Sequence, residues 1–138
     1  DPRHLREFLA EQVEKFERET GIAATFHGDG NAVRLTGRAC RELIHILQEL
    51  LFNVRRHSGA GRVEVRLSSR DGTCSLVVAD NGRGFDFAGR LDLPALNAMR
   101  KGPRVVQERV RTLGGSLEIE SQPGNGARIE ITLPQREE

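Results

Sequence analysis

Over residues 4–20, Leu5, Phe8, Leu9, Val13 and Phe16 recur at steps of three and four among acids and bases, which predicts an amphipathic helix with one buried stripe. Gly21 closes it, residues 22–26 alternate like an edge strand, and HGDGN reads as a polar turn. A longer helix is expected from Arg38 to about His57, capped by Thr36 or a neighbour, with Leu43, Ile44, Leu47, Leu50, Leu51 and Val54 on its buried side. Residues 63–67 and 74–79 alternate on either side of a turn at 70–73, the pattern of an antiparallel hairpin. Residues 87–102 read as a long loop in which LDLPALNAM alone has the character of a short helix, and such loops are functional lids or disordered. Pro103 suits the first turn of a helix through Leu113, with Val105, Val106 and Val110 inward and Gly114 and Gly115 as its stop. Residues 117–120 and 127–133 form a second hairpin through QPGNG, and QREE is a tail.

Helices that each bury one stripe, combined with strands that alternate, fit an α+β fold: a two-layer α/β sandwich whose mixed, mostly antiparallel sheet is covered on one face by helices. Two hairpins argue against a doubly wound parallel sheet, and GRGF lacks the strand, glycine turn and helix of a dinucleotide fingerprint. At 138 residues the chain is expected to be a single domain over 1–138. A formal net charge of +1 with 30% charged residues gives no reason to expect a nucleic-acid surface. No apolar run approaches a membrane span, and DPRHLREFLAEQ lacks the layout of a secretion signal, so a cytoplasmic location without membrane insertion is expected. Cys40 and Cys74 lack paired spacing and read as core residues.

Two stretches carry candidate chemistry. In LVVADNGRGFD an apolar run delivers Asp80 to the end of a buried strand. Gly82 and Gly84 bend the chain there, leaving the main chain open to close approach, and Phe85 re-enters the interior. Asp-Asn-Gly after alternating residues is also a hairpin signal, so turn and site both remain open on this stretch alone. On the long helix Glu49 and Asn53 lie four apart, with Arg56 and His57 a turn further on. These four residues either line one pocket wall, or Arg56 and His57 complement the negative end of the helix dipole while Glu49 and Asn53 are solvated.

Three elements in order, QELLFNVRRHS, DNGRGF and GPRVVQERVRTLGGSLEIESQPGNGARIEITLP, together closely resemble the ATP-binding catalytic domain of bacterial two-component sensor histidine kinases. NVRRHS and ERVRTLGG are similar to the subgroup of nitrate and desaturase-control sensors. The resemblance implies the sandwich shared with gyrase-type ATPases and Hsp90-type chaperones, with ATP between the helical layer and a mobile lid. It implies that Asp80 accepts a hydrogen bond from the adenine amino group, which rejects ligands that leave that pair unmade. Gly82, Gly84 and Phe85 would lie against the nucleotide, and Asn53 would give a side-chain oxygen to Mg²⁺. Glu49 matches an acid that polarises a nucleophile in relatives, Arg56 and His57 would offset phosphate charge, and Gly102 with the following helix would donate backbone N–H groups to phosphates.

The chain departs from that pattern at its second glycine box. Where the subgroup reads like GxGLxGMRERV, RKGPRVVQERV keeps Gly102 but has Arg100 and Val105 in place of the other glycines. Ala127 follows GNG where a threonine is common. Pro103 and Arg104 are candidate substitutes, Arg104 as a direct phosphate contact. His4, His27 and His45 lack the pattern of a phosphoacceptor, so the resemblance implies a fragment of a longer sensor, itself monomeric and dimeric in full length. The implied partners are a histidine-bearing dimerisation domain and a response regulator, and the full-length protein is compatible with membrane anchoring. Competing expectations are a non-catalytic module on the same fold and an anti-sigma-type serine kinase.

Overall fold

The structure is a computed structural model that describes residues 4–29 and 32–135. Helix α1 (Leu5–Thr20) leads into strand β1 (Ala23–Gly28), and helix α2 (Gly37–Asn53) continues as a π-helical turn over Val54–Ser58. Strands β2 (Arg62–Arg70) and β3 (Thr73–Asp80) form the first hairpin. Then come β4 (Gly89–Asp92), α3 (Leu93–Met99), α4 (Arg104–Thr112), β5 (Ser116–Ser121) and β6 (Ala127–Pro134). The strands make one six-stranded sheet in the order β1-β2-β3-β6-β5-β4. β1 runs parallel to β2 and every other neighbouring pair is antiparallel. This is the expected α+β sandwich with a mixed sheet.

Side-chain alternation divides the layers. Val63, Val65 and Leu67 of β2, Cys74, Leu76 and Val78 of β3, and Ile129, Ile131 and Leu133 of β6 are buried. They face Leu9, Val13, Leu43, Ile46, Leu47 and Leu50 from the helices, in one continuous core. The other sheet face carries charge, as where Arg90 meets Glu118 and Glu120 across β4 and β5. Among the described residues no helix is long and apolar enough to cross a membrane.

Several local expectations hold, each for a physical reason. The Thr36 hydroxyl accepts the Ala39 N–H at 3.0 Å as the α2 N-cap, and Gly21 closes α1 at φ +77. Cys40 and Cys74 are both free and buried. Burial pushes the Cys74 thiol up to about 12, with Cys40 and Asp29 adding smaller effects in the same direction. His4, His27 and His45 are exposed.

Other expectations need correction. Phe8 lies at the edge of the α1 stripe and is 45% exposed. Ile44 is half-buried, and Ile46 fills the core instead. Val105 is half exposed while Gln107 turns inward, because α4 begins at Arg104 and sets Val106, Gln107 and Val110 toward the core. The expected long loop forms its short helix within LDLPALNAM, as α3, and also contains a strand that was not expected. Gly89 at φ +100 starts β4, which pairs with β5, and the Asp92 carboxylate then caps α3 by accepting the Ala95 N–H at 3.0 Å. Gln135 is tied down, its side-chain oxygen accepting from the Arg34 N–H and the Ser69 hydroxyl. The rest of the expected tail, and positions 30 and 31 of the HGDGN turn, lie outside the described residues.

Candidate functional site

Asp80 is the last residue of β3, a central strand, with Val63 of β2 on one side and Ala127 of β6 on the other. It keeps the parity of Cys74, Leu76 and Val78, so its carboxylate faces the helical layer at the rim of the core. Burial raises its pKa, and a 2.8 Å hydrogen bond from the Gly82 N–H pulls part of that shift back.

The loop after Asp80 is interlocked with both of its neighbours. On one flank the Arg83 N–H donates to the Ser58 carbonyl at 2.7 Å, and the Asn81 side-chain oxygen accepts from the N–H groups of Gly61 and Arg62. On the other flank the Gly124 N–H donates to the Arg83 carbonyl at 2.7 Å, and the Phe85 N–H to the buried Ser121 hydroxyl at 2.8 Å. Two glycines are required by space. A Cβ on Gly82 would sit 2.3 Å from the Ser58 carbonyl oxygen, and one on Gly126 would sit 2.1 Å from that of Asp80.

Opposite this loop stands the end of α2. Leu50, Asn53, Val54 and His57 follow the spacing of one helical face and line a cleft of about 340 Å³, within the usual range for small-molecule sites. The π turn that carries His57 is closed by Ser58, whose hydroxyl donates to the Val54 carbonyl and accepts the Ala60 N–H. The remaining walls come from Asp80, Gly84 and Phe85, from Gly102 and Pro103 at the α3–α4 link, and from Ala127 and Ile129 of β6. Phe85 is braced by a stacked Phe87, with ring centroids 5.7 Å apart.

Of the residues singled out from sequence, Asn53, His57, Asp80, Gly84, Phe85 and Gly102 therefore share one cavity. Glu49, Arg56, Gly82 and Arg104 do not line it. Glu49 and Arg56 each lie one residue, about 100° of helix, from the lining face. The Arg56 guanidinium sits 5.4 Å over the Phe52 ring instead. Gly82 is buried against Ser58, where its N–H holds Asp80. Arg104 is exposed at the first position of α4.

The lid side is assembled from side-chain links. Lys101 Nζ lies 2.8 Å from an Asp86 oxygen, and the buried Gln107 amide donates to the Lys101 carbonyl at 2.7 Å. Arg100 ends α3 at φ +55, a conformation that glycine adopts without strain. The α4 N-cap, Pro103, makes no side-chain capping bond, which leaves the first helical amides of α4 for solvent or an anion. Sequence reasoning placed Leu50 and Val54 in the core without seeing that they also floor the cleft, and it assigned no role to Asn81, Ser58 or Ile129. Asn-Gly inside DNGRG was the available signal for Asn81, and it reads equally as a turn.

Residues 40–137 match the family model described as histidine kinase-, DNA gyrase B-, and HSP90-like ATPase. The chain is 32% identical over 126 residues to the signal transduction histidine-protein kinase/phosphatase DegS of Brevibacillus brevis, covering 91% of this chain and 31% of that protein. It is 32% identical over 130 residues to the sensor histidine kinase LiaS of Bacillus subtilis, covering 94% and 34%. The chain thus spans about a third of the length of the curated relatives it matches. In fold it is similar to the histidine kinase domain of a blue-light activated histidine kinase from Erythrobacter litoralis, at TM-score 0.72 and 21% identity over 95% of this chain and 61% of that one. It is also similar to the ATP binding domain of PrrB from Mycobacterium tuberculosis, at TM-score 0.72 and 19% identity over 94% and 93%.

Proposed function

Since this chain belongs to the histidine kinase-, DNA gyrase B-, and HSP90-like ATPase family, as a catalytic domain of the sensor histidine kinase kind, we propose that its cleft binds ATP with Mg²⁺ and presents the γ-phosphoryl group to a histidine on a separate dimerisation domain. Onward transfer to a response regulator completes the reading. The observation that carries it is the shared cavity: Asp80 at the end of a central strand, with Asn53 and His57 on one face of α2.

Each residue then has a physical task. Asp80, held by the Gly82 N–H, accepts from the adenine amino group, and its partial burial strengthens that bond while making a mispaired base costly. Phe85 and Ile129 give the base apolar contact. Asn53 would hold Mg²⁺ through its neutral side-chain oxygen, a hard donor suited to that ion, which would supply charge neutralisation at the phosphates. Gly102 and the uncapped amides of α4 receive the phosphates, with Arg104 able to reach over them from the first turn. Transfer is mostly positioning and charge neutralisation, so the isolated chain binds nucleotide and turns over slowly.

The competing reading is a non-catalytic module, favoured by Arg100 in a strained left-handed position where the subgroup has glycine. Calorimetry and thermal melting with Mg·ATP separate the two. The kinase reading expects binding heat, a rise in melting temperature, and loss of the Mg²⁺ dependence in Asn53→Ala. Silence at roughly millimolar ATP overturns it.

A further inference from the structure

Asn81 lies beside the proposed adenine acid, yet its side chain faces the other way, toward the link that leaves α2. Its amide oxygen accepts two main-chain N–H groups, Gly61 at 3.0 Å and Arg62 at 2.9 Å. Two further ties run between the same segments, the Asn81 N–H to the Arg62 carbonyl and the Arg83 N–H to the Ser58 carbonyl. Ser58 is the final residue of the π turn that presents His57. One side chain therefore joins the sheet-borne half of the cleft to its helix-borne half without lining the cavity.

We infer that Asn81 is a positioning residue that sets the distance between the base-reading end of the cleft and its metal and phosphate end. This rests on the nucleotide reading above. Gly61 and Arg62 connect the π turn to β2, so their amides determine where the end of α2 stops relative to the end of β3. An acceptor oxygen ties both amides to the Asp80 loop at once, whereas alanine leaves them to water and lets the link drift. A ligand that touches only Asp80 would feel that drift little. One that spans both halves would feel it in full.

The test uses the whole chain and the variants Asn81→Ala and Asn81→Asp, the second of which keeps an acceptor oxygen. Without nucleotide, Asn81→Ala is expected to speed amide exchange at Gly61 and Arg62 and to shift the Asn53 and His57 resonances, with Val65 in mid-strand unchanged. Unaltered exchange at Gly61 and Arg62 overturns the inference whether or not the protein binds ATP. With ligand, Mg·ATP affinity should fall about tenfold in Asn81→Ala, adenosine affinity should fall much less, and Asn81→Asp should recover most of the loss. Equal losses for adenosine and Mg·ATP, or no recovery in Asn81→Asp, mean general destabilisation and overturn it too. A wild-type chain with no ATP affinity would instead remove the nucleotide reading, leaving the exchange measurements to decide the clamp.

Discussion

The two sides of the cleft are built by different means. The Asp80 side is held by main-chain N–H groups bonded on both flanks, to carbonyls and to the Asn81 and Ser121 side-chain oxygens, and by glycines whose neighbours leave no room for a Cβ. The lid side is held by an exposed lysine and carboxylate pair, one buried glutamine and a strained arginine. Backbone interlocking ties function to residue identity at Gly82 and Gly126. Side-chain links can be exchanged for others of similar reach.

The contrast should break most visibly at the glycines. Gly126→Ala forces a Cβ to 2.1 Å from the Asp80 carbonyl oxygen at a residue with φ +96, and Gly82→Ala meets the Ser58 carbonyl at 2.3 Å. Each is expected to lower unfolding stability by about 3 kcal/mol in denaturant melts. A loss below about 1 kcal/mol would show that this side yields as easily as the lid. Gln107→Ala comes next, leaving the Lys101 carbonyl without its buried donor. A loss of about 1–2 kcal/mol, with faster amide exchange across the α3–α4 link, is expected.

A smaller effect follows from pH. Burial raises the pKa of Asp80 above its unfolded value, so the folded state holds the proton more tightly than the unfolded chain. Stability contributed by this group therefore rises as pH falls from the raised value toward the ordinary carboxylate range, and Asp80→Asn removes that dependence. Nucleotide binding should run the opposite way, weakening over the same window as the acceptor is protonated. Comparing the pH profiles of melting and of ATP affinity in the wild type and Asp80→Asn checks both signs. The smallest effect is expected at Lys101→Ala. It breaks a pair that is open to solvent and screened by salt, and should leave the melting temperature within error of the wild type.

Much of the fold was legible because burial follows period. The steps of three and four in α1 and α2, and the alternation in β2, β3, β5 and β6, reappear as the inward faces of the two layers. The region from Gly89 to Met99 was legible only in part: LDLPALNAM read as a short helix and forms α3, a seven-residue helix with one buried residue, Leu96, whereas β4 was read as loop. β4 is a four-residue edge strand of mixed burial, and a strand so short carries too few periods to be read. Within the site, Asp80 could be placed because an apolar run points to it, and Asn53 and His57 because they fall within one group of polar positions at the C-terminal end of a helix. Arg56 and Glu49 were grouped with them because neighbouring positions look equivalent in sequence, although 100° of rotation separates them from the cavity wall. The interlock through Asn81 and Ser58 joins segments about twenty residues apart by the Asn81 side-chain oxygen and by main-chain bonds, which no periodic pattern records.

The central claim is that Asp80 reads the base of a bound nucleotide, and base preference tests it most directly. Affinities for Mg·ATP and Mg·GTP are to be measured side by side in the wild type and in Asp80→Asn. The account predicts that the wild type favours ATP by well over about tenfold, and that Asp80→Asn loses most of this preference together with its affinity for ATP. An ATP-to-GTP ratio that is the same in both proteins would contradict it.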